Sequence, residues 1–340
     1  MRIAIVNDVA MVAEALRRIV VSDPDHEVIW SAPNGKEAVL CSQRERPDLI
    51  LMDLLMPVMD GLEATRQIMK QAPCPILLVT AHLTSHTGKV FEALGAGALD
   101  VIATPRLGES SGAAELLAKI RMIRSFVQPA PDRGPSPTPP TRLVVTSSAT
   151  LDPLVVIGAS AGGPAALGVV LADLPRDLRA AVVIVQHIDE QFAPGLALWL
   201  NSQSSLPVRL VNNGDRIERG VVFLAATDDH LVLCDAEHFA YTAEPLEIPS
   251  RPSVDVFFRS VARYRSQGIV AALLTGIGRD GAAGLLALRS AGALTIAQDE
   301  QSSTVYGMPK AARQLNAADR ILPLDQIGAA IAAAVRERFG

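Results

Sequence analysis

Residues 128–142, QPAPDRGPSPTPPTR, contain six prolines in fifteen positions. Each proline fixes φ and removes a backbone donor, so neither a helix nor a central strand can run through this stretch. It reads as a semi-extended linker. The break divides 340 residues into an N-terminal part, 1–127, and a C-terminal part, 143–340, each long enough to bury its own core.

Both parts alternate short β-rich runs with amphipathic helical patterns. In the first, strands are expected at 2–6, 28–31, 49–53, 76–80 and 99–102. Five such units predict a (βα)5 domain with a parallel sheet covered on both faces. In the second, strands are expected at 154–157, 181–185, 207–211, 221–224, 269–274 and 294–297. These predict a doubly wound, mainly parallel α/β sheet. The segment 215–241 lacks a helical period and reads as an antiparallel excursion, and 327–339 as a closing amphipathic helix.

With 49% hydrophobic and 20% charged residues the chain is globular. A net charge of -5 gives no basic field for a nucleic acid backbone, and 4% aromatic content offers no stacking platform. Cys41, Cys74 and Cys234 are scattered singly, which fits a reducing compartment. No apolar run reaches the ~20 residues of a membrane helix, and Met1 to Val6 is cut short by Asn7 and Asp8, too soon for a signal-peptide core. A cytoplasmic protein without direct membrane insertion is expected.

In open parallel sheets chemistry collects outside the carboxyl ends of the strands. Asp8, Asp53, Thr80 and Thr104 all fall there in the first part. Asp8 and Asp53 together can hold a hard Mg²⁺ ion, Asp53 can accept a phosphoryl group, and the Thr80 hydroxyl can bond its oxygens. Capping and turn roles explain isolated aspartates equally well. The run Leu51-Met52-Asp53-Leu54-Leu55-Met56-Pro57-Val58-Met59-Asp60-Gly61 decides between them, because it resembles the phosphoacceptor loop of response-regulator receiver domains. Asn7 stands where receivers usually carry an acid and Thr104 where they usually carry Lys, so metal binding and phosphorylation kinetics are expected to depart from the common pattern.

In the second part Gly158-Ala159-Ser160-Ala161-Gly162-Gly163-Pro164 is a strand, a tight turn and a helix start. Its spacing suits a nucleophile elbow or, equally, a glycine-rich phosphate loop. Tyr306-x-x-x-Lys310 also matches the active-site spacing of short-chain dehydrogenases, but Pro309 interrupts the helical turn between them and Gln186-His187 stands where a ribose-binding acid belongs. His187 and Asp280 fall at two further strand ends and complete Ser160, His187 and Asp280 as nucleophile, base and orienting acid. His230, beside Asp228 and Asp229, is the competing base. Ala161, Gly276, Ile277 and Gly278 are the candidate backbone donors for an oxyanion.

Together with Leu274-Thr275-Gly276-Ile277-Gly278-Arg279-Asp280-Gly281, Gln298-Asp299-Glu300 and Tyr306-Gly307-Met308-Pro309-Lys310, these motifs resemble the CheB protein-glutamate methylesterases of chemotaxis-type pathways. Val6-Asn7-Asp8 and Ala98-Leu99-Asp100-Val101-Ile102-Ala103-Thr104-Pro105 look more like the Wsp subclass, linked to surface-sensing receptors and cyclic-di-GMP control. Ala161 and Ile277 depart from a common Thr and Met. The resemblance implies hydrolysis of glutamate γ-methyl esters on a methyl-accepting chemoreceptor, glutamine deamidation in many members, Mg²⁺ in the receiver and no cofactor for the ester chemistry. It also implies a CheA-type histidine kinase as phosphodonor. The reading from another class is a receiver-controlled binding module on an inactive hydrolase scaffold.

Overall fold

The computed structural model describes residues 1–81, 87–105, 110–127, 151–248, 250–265 and 267–339. The expected linker, 128–142, lies outside them. The chain forms two compact units, Met1–Asp132 and Arg133–Gly340.

The first unit alternates β1 (Arg2–Val6), α1 (Ala10–Val21), β2 (Glu27–Ala32), α2 (Gly35–Arg44), β3 (Leu49–Met52), α3 (Gly61–Gln71), β4 (Ile76–Thr80), α4 (Thr87–Gly95), β5 (Asp100–Ala103) and α5 (Ser110–Val127). The strands make one parallel sheet in the order β2-β1-β3-β4-β5. β3 and β4 are buried from end to end, as continuous apolar runs must be when helices cover both faces. Strand order reverses between β1 and β3, which opens a crevice at their carboxyl ends.

The second unit begins with β6 (Leu154–Ala159), α6 (Gly163–Ala172) and β7 (Ala181–Gln186). A 3₁₀ turn, Glu190–Phe192, leads into α7 (Ala193–Gln203), β8 (Val208–Leu210), β9 (Val222–Leu224), β10 (His230–Leu233) and β11 (Phe239–Thr242). There follow α8 (Val254–Tyr264), β12 (Ile269–Leu273), α9 (Ala282–Ser290), β13 (Leu294–Gln298), α10 (Met308–Gln314), β14 (Arg320–Leu322) and α11 (Leu324–Phe339). Seven parallel strands run in the order β14-β13-β12-β6-β7-β9-β8. The order reverses between β6 and β12, the strands that precede Ser160 and Asp280.

Two expectations change here. Among the described residues the antiparallel pairing is confined to β10 and β11, a separate two-stranded ribbon, and an isolated bridge between Arg216 and His238. β9, inside the expected excursion, joins the parallel sheet instead, since its Val222, Phe223 and Leu224 are wholly buried. β14 was not anticipated, because a three-residue, half-exposed edge strand carries no apolar run to reveal it. The ribbon is tied to the sheet by Phe223 and Phe239, whose rings lie 5.1 Å apart. Among the described residues no helix is long and apolar enough to cross a membrane.

Candidate active site

Strand register brings the second unit's site together. Ala159 of β6 faces Gln186 of β7, and Gly158 faces Leu273 of β12, so the next residues of all three strands emerge on one rim. Ser160 and His187 are therefore neighbours across the β6–β7 pair. The His187 N–H donates to the Ala159 carbonyl at 3.1 Å, and the Ser160 N–H to that of Thr275 at 3.0 Å.

The turn that carries Ser160 leaves no room for side chains. Gly162 has φ +73° and opens α6 with Pro164 in its first turn, where the missing N–H is harmless. A Cβ on Gly276 would lie 2.1 Å from Met308 Sδ and 2.8 Å from Ser160 Cβ, so only glycine lets the β12 loop close on the nucleophile turn.

Beneath the turn lies a floor of buried polar side chains. Gln186 Nε2 donates to the carbonyls of both Ser160 and His187, at 2.8 and 3.0 Å. Thr275 Oγ1 donates to the Ala161 carbonyl at 2.9 Å, and the Thr275 N–H donates to Gln298 Oε1 at 2.8 Å. These bonds fix the loops relative to one another, while Gln186 Oε1 is buried without a partner among the described residues.

His187 Nε2 lies 2.7 Å from Asp280 Oδ2. An ionised carboxylate only accepts, so Nε2 carries the proton and Nδ1 is left as the basic nitrogen. Asp280 is itself seated on the first turn of α8. It accepts from Ser253 Oγ at 2.8 Å, from the Val254 N–H at 2.7 Å and from the Asp255 N–H at 3.1 Å. Burial is the largest influence on Asp280 and pushes its pKa up. The bonds from His187, Ser253 and Asp255 outweigh it and hold the carboxyl below its ordinary range.

Ser160 is 8% exposed, and its Oγ makes no hydrogen bond among the described residues. The hydroxyl is accessible at the rim, and such contacts commonly tighten only when substrate arrives. Of the candidate oxyanion donors, the N–H groups of Ala161, Ile277 and Gly278 engage no acceptor among the described residues. Gly276 does not qualify: its N–H donates to the Val305 carbonyl at 3.1 Å.

Comparison with known proteins fits this geometry. The CheB methylesterase family matches residues 155–331, and the response regulator receiver domain family matches 3–109. A protein-glutamate methylesterase/protein-glutamine glutaminase 1 of Pseudomonas fluorescens Pf-5 is 53% identical over 330 residues, covering 96% of this chain and 97% of that protein. A protein-glutamate methylesterase/protein-glutamine glutaminase 3 of Pseudomonas aeruginosa PAO1 is 49% identical over 335 residues, covering 98% and 99%. The chain belongs to the CheB methylesterase family. The solved CheB methylesterase catalytic domain of Thermotoga maritima aligns with 54% of it and with 99% of its own chain, at 32% identity and a TM-score of 0.52.

In this CheB-family chain Tyr306 and Lys310 do not form a dehydrogenase pair. Tyr306 precedes α10 and bridges to Gly276, while Lys310 lies exposed inside the helix. His230 is fully buried away from the rim, with Nδ1 accepting from the Ser253 N–H at 3.1 Å. Ser253 is absent from the sequence reading, and Gln186, Thr275 and Gln298 stand in its motifs without the supporting role the structure gives them. Ser253 is legible as a helix cap, since it precedes an amphipathic helix and its Oγ accepts from the Val256 N–H. Its bond to Asp280 spans 27 residues and leaves no local signal.

The receiver domain of the CheB-family chain gathers its pocket by the same means. Val6 faces Met52, so Asn7 and Asp8 emerge beside Asp53, and Thr80 faces Ala103, next to Thr104. Asn7 Nδ2 donates to Asp53 Oδ2 at 2.9 Å while its Oδ1 accepts from the Val9 N–H, so it offers Asp53 a donor rather than a second charge. Thr80 is buried and Asp8 exposed. Among the described residues no three His, Cys, Asp or Glu side chains form a metal cluster. Two hard carboxylates still suit Mg²⁺, which binds through one or two of them and keeps much of its water, so Asp8 and Asp53 fit that ion.

Proposed function

We propose that this chain hydrolyses glutamate γ-methyl esters on a methyl-accepting chemoreceptor and releases methanol, under control of phosphorylation at Asp53. The observation that carries the reading is the His187–Asp280 pair, fixed at 2.7 Å beside the Ser160 turn. A binding module on an inactive scaffold has no use for a proton acceptor oriented in this way.

Ser160 Oγ attacks the ester carbonyl and gives its proton to His187 Nδ1. Asp280 holds the tautomer and stabilises the imidazolium. The oxyanion meets the unengaged N–H groups of Ala161, Ile277 and Gly278. Collapse expels methoxide, which takes the proton from His187 and leaves as methanol. Water then returns a proton to His187 as its oxygen attacks the acyl-serine, which releases the glutamate carboxylate and Ser160. With a glutamine side chain the same cycle releases ammonia, the second activity named for the relatives.

In the receiver domain Asp53 accepts the phosphoryl group from a CheA-type histidine kinase, and the hydroxyls of Thr80 and Thr104 bond its oxygens. Mg²⁺ held by Asp8 and Asp53 would neutralise charge on the group in transfer. The proposed location is the cytoplasm, where receptor methylation sites and the kinase meet, and the proposed pathway is the Wsp type.

Methanol release from a methylated receptor fragment tests the reading. Ser160→Ala is expected to leave the melting temperature unchanged and lower release by at least ~10³, as loss of a covalent nucleophile does. Undiminished release removes Ser160 from the mechanism.

A further inference from the structure

We infer that His230 is a positioning residue for this active site. Its Nδ1 fixes the first turn of α8, and that turn holds Asp280 against His187. The inference rests on the esterase reading above, and its carrier is a group otherwise without a role: a fully buried histidine on the β10–β11 ribbon.

Helix N-termini leave backbone N–H groups without intrahelical partners, and solvent usually satisfies them. Ser253, the N-cap of α8, is wholly buried, so its N–H requires an acceptor within the protein. His230 Nδ1 supplies it at 3.1 Å. The other ring nitrogen, Nε2, lies 3.3 Å from the Pro245 carbonyl. A carbonyl only accepts, so the proton sits on Nε2 and Nδ1 is committed to Ser253. Both nitrogens are occupied, which removes His230 as the general base and gives it another task.

Ser253 transmits that task. Its hydroxyl donates to Asp280 Oδ1, and the next two N–H groups complete the carboxylate seat. Asp255 grips the same turn from another side, with Oδ1 accepting from the Gly284 N–H of α9 at 2.6 Å. The ribbon provides a rigid mount for His230, which pairs with Thr242 across it. A small shift of the α8 turn would move Asp280 off His187 Nε2, and displacements of about 1 Å at such sites cost ~10²-fold in rate.

Two variants separate this role from simple filling of the core. In His230→Asn the amide oxygen takes the place of Nδ1 and can accept from Ser253. In His230→Gln the amide reaches the Nε2 position and keeps Pro245, but the Ser253 N–H loses its acceptor. In the full chain with acetyl phosphate and methylated receptor fragment, His230→Gln is expected to lower kcat by about 10- to 100-fold with KM unchanged. His230→Asn should stay within about 3-fold of the parent. The low-field proton signal of the His187 Nε2–H bonded to Asp280 should persist in the Asn variant and broaden or vanish in the Gln variant. An Asn variant that loses as much as the Gln variant, or a Gln variant with kcat and signal intact, overturns the proposal. Ring ¹⁵N spectra of the unaltered protein give a variant-free test, since a proton on His230 Nδ1 also overturns it. If the parent itself releases no methanol the esterase reading falls, while the two NMR readouts still decide the role of His230.

Discussion

At the scale of single residues, two neighbouring carboxyl groups of the second unit meet opposite environments. Asp280 is seated among donors, whereas Asp255, two positions into the α8 turn that holds it, is pushed up to about 6 by burial and then by the charge of Asp280. The folded state therefore binds a proton at Asp255 more tightly than the unfolded chain does. The stability this gives is present below the ordinary value of 3.8 and is lost as pH rises through about 6. Asp255→Asn keeps an oxygen for the Gly284 N–H and removes the charge. It is expected to match the parent protein at pH 4 and exceed it by ~1–3 kcal/mol at pH 8, read by denaturant unfolding at both values. A gain that does not change with pH would refute this account. In the receiver, Asn7 bonds Asp53 through its nitrogen, so Asn7→Asp exchanges a donor for a third carboxylate beside Asp8 and Asp53. Titration with Mg²⁺ should show tighter binding in that variant, and unchanged affinity would mean that residue 7 does not face the ion.

Several elements carry their local rule in the sequence. Asn34, Asp60 and Ser253 each cap a helix by accepting from an N–H three residues on. Asp60 also pairs with Lys89 Nζ at 3.0 Å; burial, the largest influence, pushes its pKa up, but the cap and Lys89 bonds hold it low. The loop between β3 and α3 departs from such rules. Val58 is 80% exposed with φ +69°, at the centre of a three-residue turn closed by the Met59 N–H on the Pro57 carbonyl at 2.8 Å. A β-branched residue is strained in that region. Val58→Gly should relieve the strain, and after the entropy that glycine adds to the unfolded chain the net gain should be ~1 kcal/mol. A rise in the receiver's unfolding temperature by calorimetry checks it; no rise would show that the turn stores nothing.

For the whole molecule, a receiver precedes a hydrolase in one chain, with the proline-rich stretch 128–142 between them in the sequence. A phosphoryl group adds a charge of about -2, enough to shift an equilibrium between restrained and unrestrained states of an enzyme that shares its chain with a receiver. A fragment beginning near Thr141 is expected to release methanol faster than the unphosphorylated full chain, and acetyl phosphate should move the full chain toward the fragment. Thr104 stands where the receiver pattern has Lys, so the shift is expected to be partial. A fragment no faster than the full chain would show that the receiver does not restrain the enzyme. An Asp53→Ala chain that still responds would place the switch elsewhere.

Most strands of the two parallel sheets are legible in the sequence, because strands buried on two faces must be written as unbroken apolar runs, and β1 and β4 fall on their expected bounds. The residues at the strand ends are legible too: Ser160, His187 and Asp53 follow such a run directly, Asp8 lies one residue further on, and Asp280 lies beyond the glycine turn that follows β12. Packing of the elements set everything carried by contacts remote in the chain. It assigned β9 to the parallel sheet, engaged the Gly276 N–H, and left the ring of His230 behind Ser253 rather than on the rim. It also placed the α8 turn beneath Asp280 and Gln186 beneath Ser160 and His187. Local spacing encodes the period of a helix or strand and the chemistry of a cap, but a hydrogen bond between residues 23 to 27 positions apart leaves no periodic trace. Only packing of the elements brings its two ends together.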